Sequence, residues 1–255
     1  QLGDQIDKGG RGATKIEAPP TEELQIIEYL HFLHNEAQHS NGAVYTLLGN
    51  HEIMNIQGNF DYAHDQHIMG FGGYQQRRAL WQPGGPISKL IACQSNAIMK
   101  IGNWVFVHAG LLPSHILNYS IGEINFRVRN ALLGFSDLSH LEIPFLWDRT
   151  YAKNGDSSCF LLYETLDMLR IDKKKGGMVI GHSVQPQITH KCTKHLWLID
   201  VGMSSAFHHL GHDNKAQVLE IIDDGEVVNI IKKSDTHTWH THTSYSTKNV
   251  LVIRK

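Results

Sequence analysis

Four short stretches of this chain carry side chains suited to holding cations and moving protons. Gly3-Asp4-Gln5-Ile6-Asp7-Lys8-Gly9-Gly10 sets two carboxylates three residues apart in a glycine-rich turn, where the backbone can come close to a ligand. Asp4, with two carboxylate oxygens, can bridge two cations. Gly49-Asn50-His51-Glu52 offers an amide oxygen at Asn50 and, at His51, an imidazole that can act as a general acid near neutral pH. His108-Ala109-Gly110 and Gly181-His182-Ser183 add one histidine each. Taken singly, each has a plainer reading. The first is also an ordinary Asp/Gly turn, and the second a strand-to-helix cap with Asn50 as the cap. A lone histidine after a strand is more often a packing or capping residue.

Position in the predicted elements raises them above those readings. Thr21 with Glu22 and Glu23 reads as a helix start, and Leu24, Ile27, Leu30 and Leu33 continue a helix to about His39. Residues 43–48 form a short apolar strand that runs straight into Gly49-Asn50-His51-Glu52. Strand 104–107 ends at His108, strand 177–180 at Gly181-His182, and strand 196–199 at Asp200. Residues 216–222 and 226–231 flank Asp223-Asp224-Gly225 as a hairpin. In open α/β sheets, sites form beyond the carboxyl ends of the strands. Convergence of such ends would gather Asp4, Asn50, His108 and His182 around one cleft.

Composition sets the outer bounds. With 255 residues, 41% hydrophobic and 19% charged, the chain is globular, not disordered. A formal charge of -2 gives no reason to expect nucleic acid or an anionic membrane as partner, and no apolar run is long enough to span a bilayer. Cys93, Cys159 and Cys192 are odd in number and widely spaced, which suggests no disulfide frame, a reducing compartment and a cytoplasmic location. Eighteen histidines raise the prior for metal or acid–base chemistry slightly.

The four motifs in this order, each after a strand, resemble the motif series of the calcineurin-like metallophosphoesterase superfamily. Gly3–Gly10 and Gly49–Glu52 resemble its phosphoprotein phosphatase branch. Residues 78–85 (RALWQPGG), 107–113 (VHAGLLP), 146–149 (LWDR) and 198–204 (LIDVGMS) resemble the Shewanella-like protein phosphatases. The likeness spans residues 1 to 207. It implies a four-layer α/β/β/α sandwich of two mixed sheets in a single catalytic domain over 1–255, with 232–255 as a tail or edge strands. It implies two divalent metal ions, with Asp4 bridging them and Asn50, His108 and His182 completing the second metal's protein ligands. His51 would protonate the leaving group and Asp7 would orient His51. Lys8, Arg149 and Asn50 would hold phosphate oxygens. The reaction implied is phosphomonoester hydrolysis, with phosphorylated protein or a small phosphomonoester as substrate, by in-line attack of a metal-bridging hydroxide. Oxygen and imidazole ligands without thiolate suit Mn, Fe or Zn.

Two departures from the family pattern stand out. Lys8 replaces an arginine and loses the planar fork. The strand ending in D-x-H that supplies the first metal's other ligands has no counterpart ahead of Asp4. The sequence therefore reads as N-terminally truncated, and this chain is expected to bind one metal properly and to be inactive or nearly so. His64-Asp65-Gln66-His67 contains a D-x-H but follows no strand, a poor replacement. A dinucleoside polyphosphate hydrolase or phosphodiesterase is the alternative enzyme, weakened because Ser183-Val184 lacks the second histidine of G-H-x-H. An inactive phosphate-binding scaffold is the non-enzymatic alternative. Lys173-Lys174-Lys175 reads as a solvated loop and residues 236–243 as an edge strand or tail. His208, His209 and His212 lie near the expected cleft, and Arg77 and Arg78 read as surface residues.

Overall fold

The computed structural model describes residues 1–7, 21–204, 207, 215–233 and, for the backbone alone, 239–246. Lys8, Gly9, Gly10, His208, His209 and His212 lie outside the described residues, as do residues 236–238 of the expected tail.

Helix α1, Glu22–Gln38, forms where the sequence pattern places it. Thr21 precedes it without a side-chain cap bond, because the first-turn acid Glu23 turns inward instead and is buried. The strand expected over 43–48 is shorter. Strand β1, Thr46–Leu47, pairs in parallel with β2, Ser95–Asn96, and the ladder is two residues long. The Leu47 amide donates to the Gln1 carbonyl at 3.0 Å, so residues 1–3 run along β1 and bring Asp4 to its end. Helix α2, Asn50–Ile56, follows at once with Gly49 as its N-cap, so Asn50 is the first helical residue and not the cap. Helices α3, Asp65–Gly70, α4, Tyr74–Trp81, and α5, Pro86–Gln94, lead back to β2.

The main sheet has five strands in the order β3-β4-β5-β7-β6. Its centre is three parallel strands, β4 (Trp104–Val107), β5 (Gly177–Ile180) and β7 (Leu196–Leu198). Strands β3 (Ile98–Ile101) and β6 (Thr189–Lys191) close the edges antiparallel. Helices α6 (Ile121–Leu132), α7 (Thr150–Lys153) and α8 (Cys159–Met168) lie between β4 and β5 in sequence. The hairpin forms as β8 (Gln217–Ile222) and β9 (Val227–Lys233), and β10 (Trp239–Ser246) is added at its edge. The architecture is thus mixed α/β.

Alternation along the central strands explains the layering. Val105, Val107, Met178, Ile180, Leu196 and Leu198 face the core shared with the helices. Trp104, Phe106, Val179, Trp197 and Ile199 face the other way and pack with Val228, Leu219, Ile221 and Ile230 of the hairpin sheet. A sheet buried on both faces reads as a continuous apolar run, which is how these strands look in sequence. Trp81 and Trp104 are buried.

The cysteines correct the sequence reading. Cys159, opening α8, and Cys192, after β6, form a disulfide with Cα atoms 5.3 Å apart, and only Cys93 is free. The fold brings together residues 33 apart, a proximity that spacing alone cannot reveal. Among the described residues, no helix is long and apolar enough to cross a membrane. A loop of this length predicts that Cys159→Ser lowers unfolding free energy by roughly 3–4 kcal/mol. Urea melts of the variant, and of the native protein with and without a thiol reductant, measure this; superimposable curves would refute it.

Candidate metal and acid–base site

The parallel strands β4 and β5 end at the same edge of the sheet and deliver His108 and His182 there. The turn from β1 into α2 delivers Asn50 and His51. The remaining partner, the segment Gly3–Asp7, is pinned by a residue whose role the sequence reading missed. Glu52 is fully buried, and its carboxylate accepts the amides of Gly49 at 2.7 Å, Gln5 at 2.7 Å and Asp4 at 2.9 Å. The Gly49 bond is the usual reach of a third-position Glu back to its helix N-cap. The two others fasten the Asp4 loop to the same helix end. Gly49 is glycine for a steric reason, since a Cβ there would collide with the Asp4 carboxylate and amide. Asp4, Asp7 and His182 all hold left-handed backbone, with φ of 55°, 64° and 60°. Such strain costs about 1–3 kcal/mol per residue and gathers at functional sites.

Four donor atoms converge. His108 Nε2 lies 3.2 Å from Asp4 Oδ2, 3.1 Å from Asn50 Oδ1 and 3.1 Å from His182 Nδ1. His108 Nδ1 contacts the Leu2 carbonyl at 2.6 Å. A carbonyl only accepts, so Nδ1 carries a hydrogen, and Nε2 is left to face the cluster. Lone pairs so close repel unless a cation, or a proton on His108 Nε2, sits among them. Ligands about 2.1 Å from an ion, at right angles to one another, stand about 3.0 Å apart. The observed separations fit that, and Asp4, His108 and His182 form a group able to hold a metal. Burial opposes ionisation of Asp4, but the charge and hydrogen bond of a protonated His108 overcome it and hold the carboxyl at about 2. Burial, with His108 and Arg149 nearby, pushes His182 down to about 3, so it stays neutral as a ligand must.

His51 stands beside this cluster. Its Nδ1 is 2.9 Å from Asp7 Oδ2 and its Nε2 3.9 Å from Asp4 Oδ2. Burial works to lower the His51 pKa, but the Asp7 hydrogen bond and the Asp4 charge outweigh it and the value is raised. Asp4, Asp7, His51, His108, His182 and Arg149 line one cavity of about 390 Å³. Asp200, from the 198–204 stretch, also lines it, and burial raises its pKa. Asp65 and His67 do not line it. His67 is buried with Nδ1 3.1 Å from Glu23, so that D-x-H does not serve this centre.

Behind Asp7 lies a buried ionic cluster. Arg77, expected at the surface, is wholly buried. It donates to Glu23 Oε2 at 2.7 Å and to Asn55 Oδ1 from two nitrogens at 2.9 and 2.7 Å, with Asp7 Oδ1 at 3.4 Å. Burial alone would raise the Glu23 pKa, but His67 and Arg77 outweigh it and the value falls below 4.5. A depressed folded-state pKa stabilises above the unfolded value and is lost as pH falls through the folded one. Glu23→Gln should therefore cost roughly 3 kcal/mol at pH 7, as when a buried pair loses one partner, and progressively less below about pH 4.5. Denaturant melts of both proteins from pH 7 to 3 check this; a pH-independent gap would contradict it.

No family model matches the chain. It is 30% identical over 243 residues to the uncharacterized protein R398 of Acanthamoeba polyphaga mimivirus, covering 77% of this chain and 95% of that one. It is 29% identical to Shewanella-like protein phosphatase 2 of Arabidopsis thaliana, covering 89% of this chain and 66% of that one. With Shewanella-like protein phosphatase 1 of Plasmodium berghei, identity is 28%, covering 80% and 56%. The chain thus spans no more than two thirds of the length of these two phosphatases. A solved point mutant of a cold-active protein tyrosine phosphatase shares the fold with TM-score 0.64 and 20% identity, covering 86% of this chain and 64% of that one. The cold-active protein-tyrosine phosphatase of a psychrophile Shewanella species superposes with TM-score 0.60 at 19% identity, covering 86% and 64%. By its motif series and these relatives, the chain resembles the Shewanella-like protein phosphatases, and the likeness supports a phosphatase hydrolase.

Proposed function

We propose that this protein is a metal-dependent phosphatase that hydrolyses phosphomonoesters, with phosphorylated protein as the main substrate class. The observation that carries the reading is the convergence of three metal-type donors within 3.2 Å of a fourth, His108 Nε2, beside an imidazole paired with a carboxylate. The relatives' names support phosphoprotein as substrate, and the absence of a second histidine at Val184 weighs against a phosphodiesterase. The reading extends to two divalent ions, Mn, Fe or Zn, in a single catalytic domain of four layers, α/β/β/α. In this reading Asp4 is shared between the ions, and Asn50, His108 and His182 hold the second. Bound cations polarise phosphoryl oxygens and activate water as a nucleophile.

The chain's own residues supply the rest. His51 keeps Nδ1–H on Asp7, so the proton it gives up is the one on Nε2, at the cavity. That proton goes to the oxygen of the departing alcohol or phenol, which would otherwise leave as an unstabilised anion. Asp7 holds the ring and its tautomer. Arg149, across the cavity, offers a planar fork to phosphate oxygens. Among the described residues, the Asn50 amide nitrogen donates only weakly, to the Met54 sulfur at 3.8 Å, and its hydrogens are assigned to the same group. Lys8 is assigned to phosphate binding by the family likeness alone. The Cys159–Cys192 bond removes the ground for a cytoplasmic placement, so the compartment stays outside the proposal.

With Mn²⁺ supplied, a chain that also carries the family's D-x-H strand ahead of Asp4 should hydrolyse p-nitrophenyl phosphate and phosphopeptides, and a chelator should abolish the activity. His51→Asn should lower kcat by about 10²–10⁴-fold. Steady-state assays with p-nitrophenyl phosphate and its bis ester decide the matter. Preference for the bis ester would favour the phosphodiesterase alternative, and phosphate binding without turnover would favour a scaffold.

A further inference from the structure

The cluster behind Asp7 is hard to explain by stability. Asp7, Glu23 and Arg77 are buried ions, and Asn55 and His67 are buried with them. Phe60, Phe71 and Trp81 surround the guanidinium at 5.1–5.4 Å and shut water out. Desolvating such groups costs several kcal/mol each, and apolar residues of similar volume often stabilise as well or better. The cluster does have one consistent geometric effect. Every group in it fixes Asp7, or fixes something that does.

The bonds show how. The Asp7 amide donates to Glu23 Oε1 at 2.8 Å, which holds a backbone already in the left-handed region. Asn55 Nδ2 donates to Asp7 Oδ2 at 2.9 Å and to the His51 carbonyl at 3.0 Å, so one amide group locks both members of the pair. Arg77 fixes Asn55 by giving its Oδ1 two hydrogen bonds, which forces Nδ2 toward Asp7 and His51. Arg77 also reaches Asp7 Oδ1 and Glu23 Oε2, and so spans three helices, α1, α2 and α4. Only a planar fork can make these bonds at once; a lysine ammonium cannot.

We propose that Arg77, clamped by Glu23 and Asn55, is a positioning residue of the reaction: it fixes the Asp7 carboxylate so that His51 presents Nε2 to the leaving-group oxygen. This rests on the phosphatase reading above. A leaving group that needs a proton feels the loss of that alignment; one that departs readily as an anion does not.

Phenyl phosphate and 2,4-dinitrophenyl phosphate therefore separate positioning from general damage. Arg77→Lys and Asn55→Ser are each made in the whole protein and checked for folding by circular dichroism. Both should lower kcat on phenyl phosphate by about 10–100-fold, part of the range for acid–base catalysis, with KM little changed. On 2,4-dinitrophenyl phosphate kcat should change less than about threefold, because that step does not draw on the acid. In an Asp7→Asn background, adding Arg77→Lys should leave the ratio between the two esters unchanged. Equal proportional losses on both esters would overturn the positioning role and leave the phosphatase reading standing. A native protein that hydrolyses neither ester would overturn that reading and this inference with it.

Discussion

The Glu52 carboxylate joins two parts of the chain that are far apart in sequence. It takes one amide from its own helix cap and two from the Asp4 loop, with no exposure to water. Those three bonds decide where the Asp4 oxygens sit relative to Asn50 and His51. Without them, nothing in the local sequence would hold a glycine-bordered loop in left-handed backbone against a helix end. A charge-assisted hydrogen bond is worth more than a neutral one, and breaking it inside a protein leaves an unsatisfied ion. The strain at Asp4 and Asp7 is sustained by bonds of this kind, from Glu52 and Glu23.

From that anchor the site divides into two electrostatic halves. On one side, two imidazoles and amide and carboxylate oxygens face a shared space, which favours a cation. On the other, His51 faces Asp7 and a dry ionic cluster centred on Arg77. The first half binds charge and the second orients a proton. They meet at the few ångströms between Asp4 Oδ2 and His51 Nε2. The two-faced sheet beneath makes this possible, because its apolar strands carry His108 and His182 to one edge.

The parts legible in sequence are those with a local signal. Strands β4 and β5 are continuous apolar runs, and each is followed by its ligand-type histidine. The hairpin shows in its Asp223-Asp224-Gly225 turn. What escapes is long-range pairing. Arg77 looks like a surface arginine because nothing near it in sequence announces Glu23, 54 residues away, or Asp7, 70 residues away. Glu23 resembles a first-turn helix acid, and only its burial shows otherwise. Glu52, three residues after Gly49, carries a visible capping signal, but its two extra amides come from a loop 47 and 48 residues distant. The Cys159–Cys192 bond is hidden for the same reason. Asn50 reads as the cap because a glycine that closes against Asp4 looks, in sequence, like an ordinary turn residue.

The central claim is that Asp4, Asn50, His108 and His182 enclose a cation site. Its most direct test is an anomalous difference map from crystals grown with Mn²⁺. The account predicts a peak enclosed by Asp4 Oδ2, Asn50 Oδ1, His108 Nε2 and His182 Nδ1. A map with no peak there, or with the ion bound elsewhere on the chain, would contradict it.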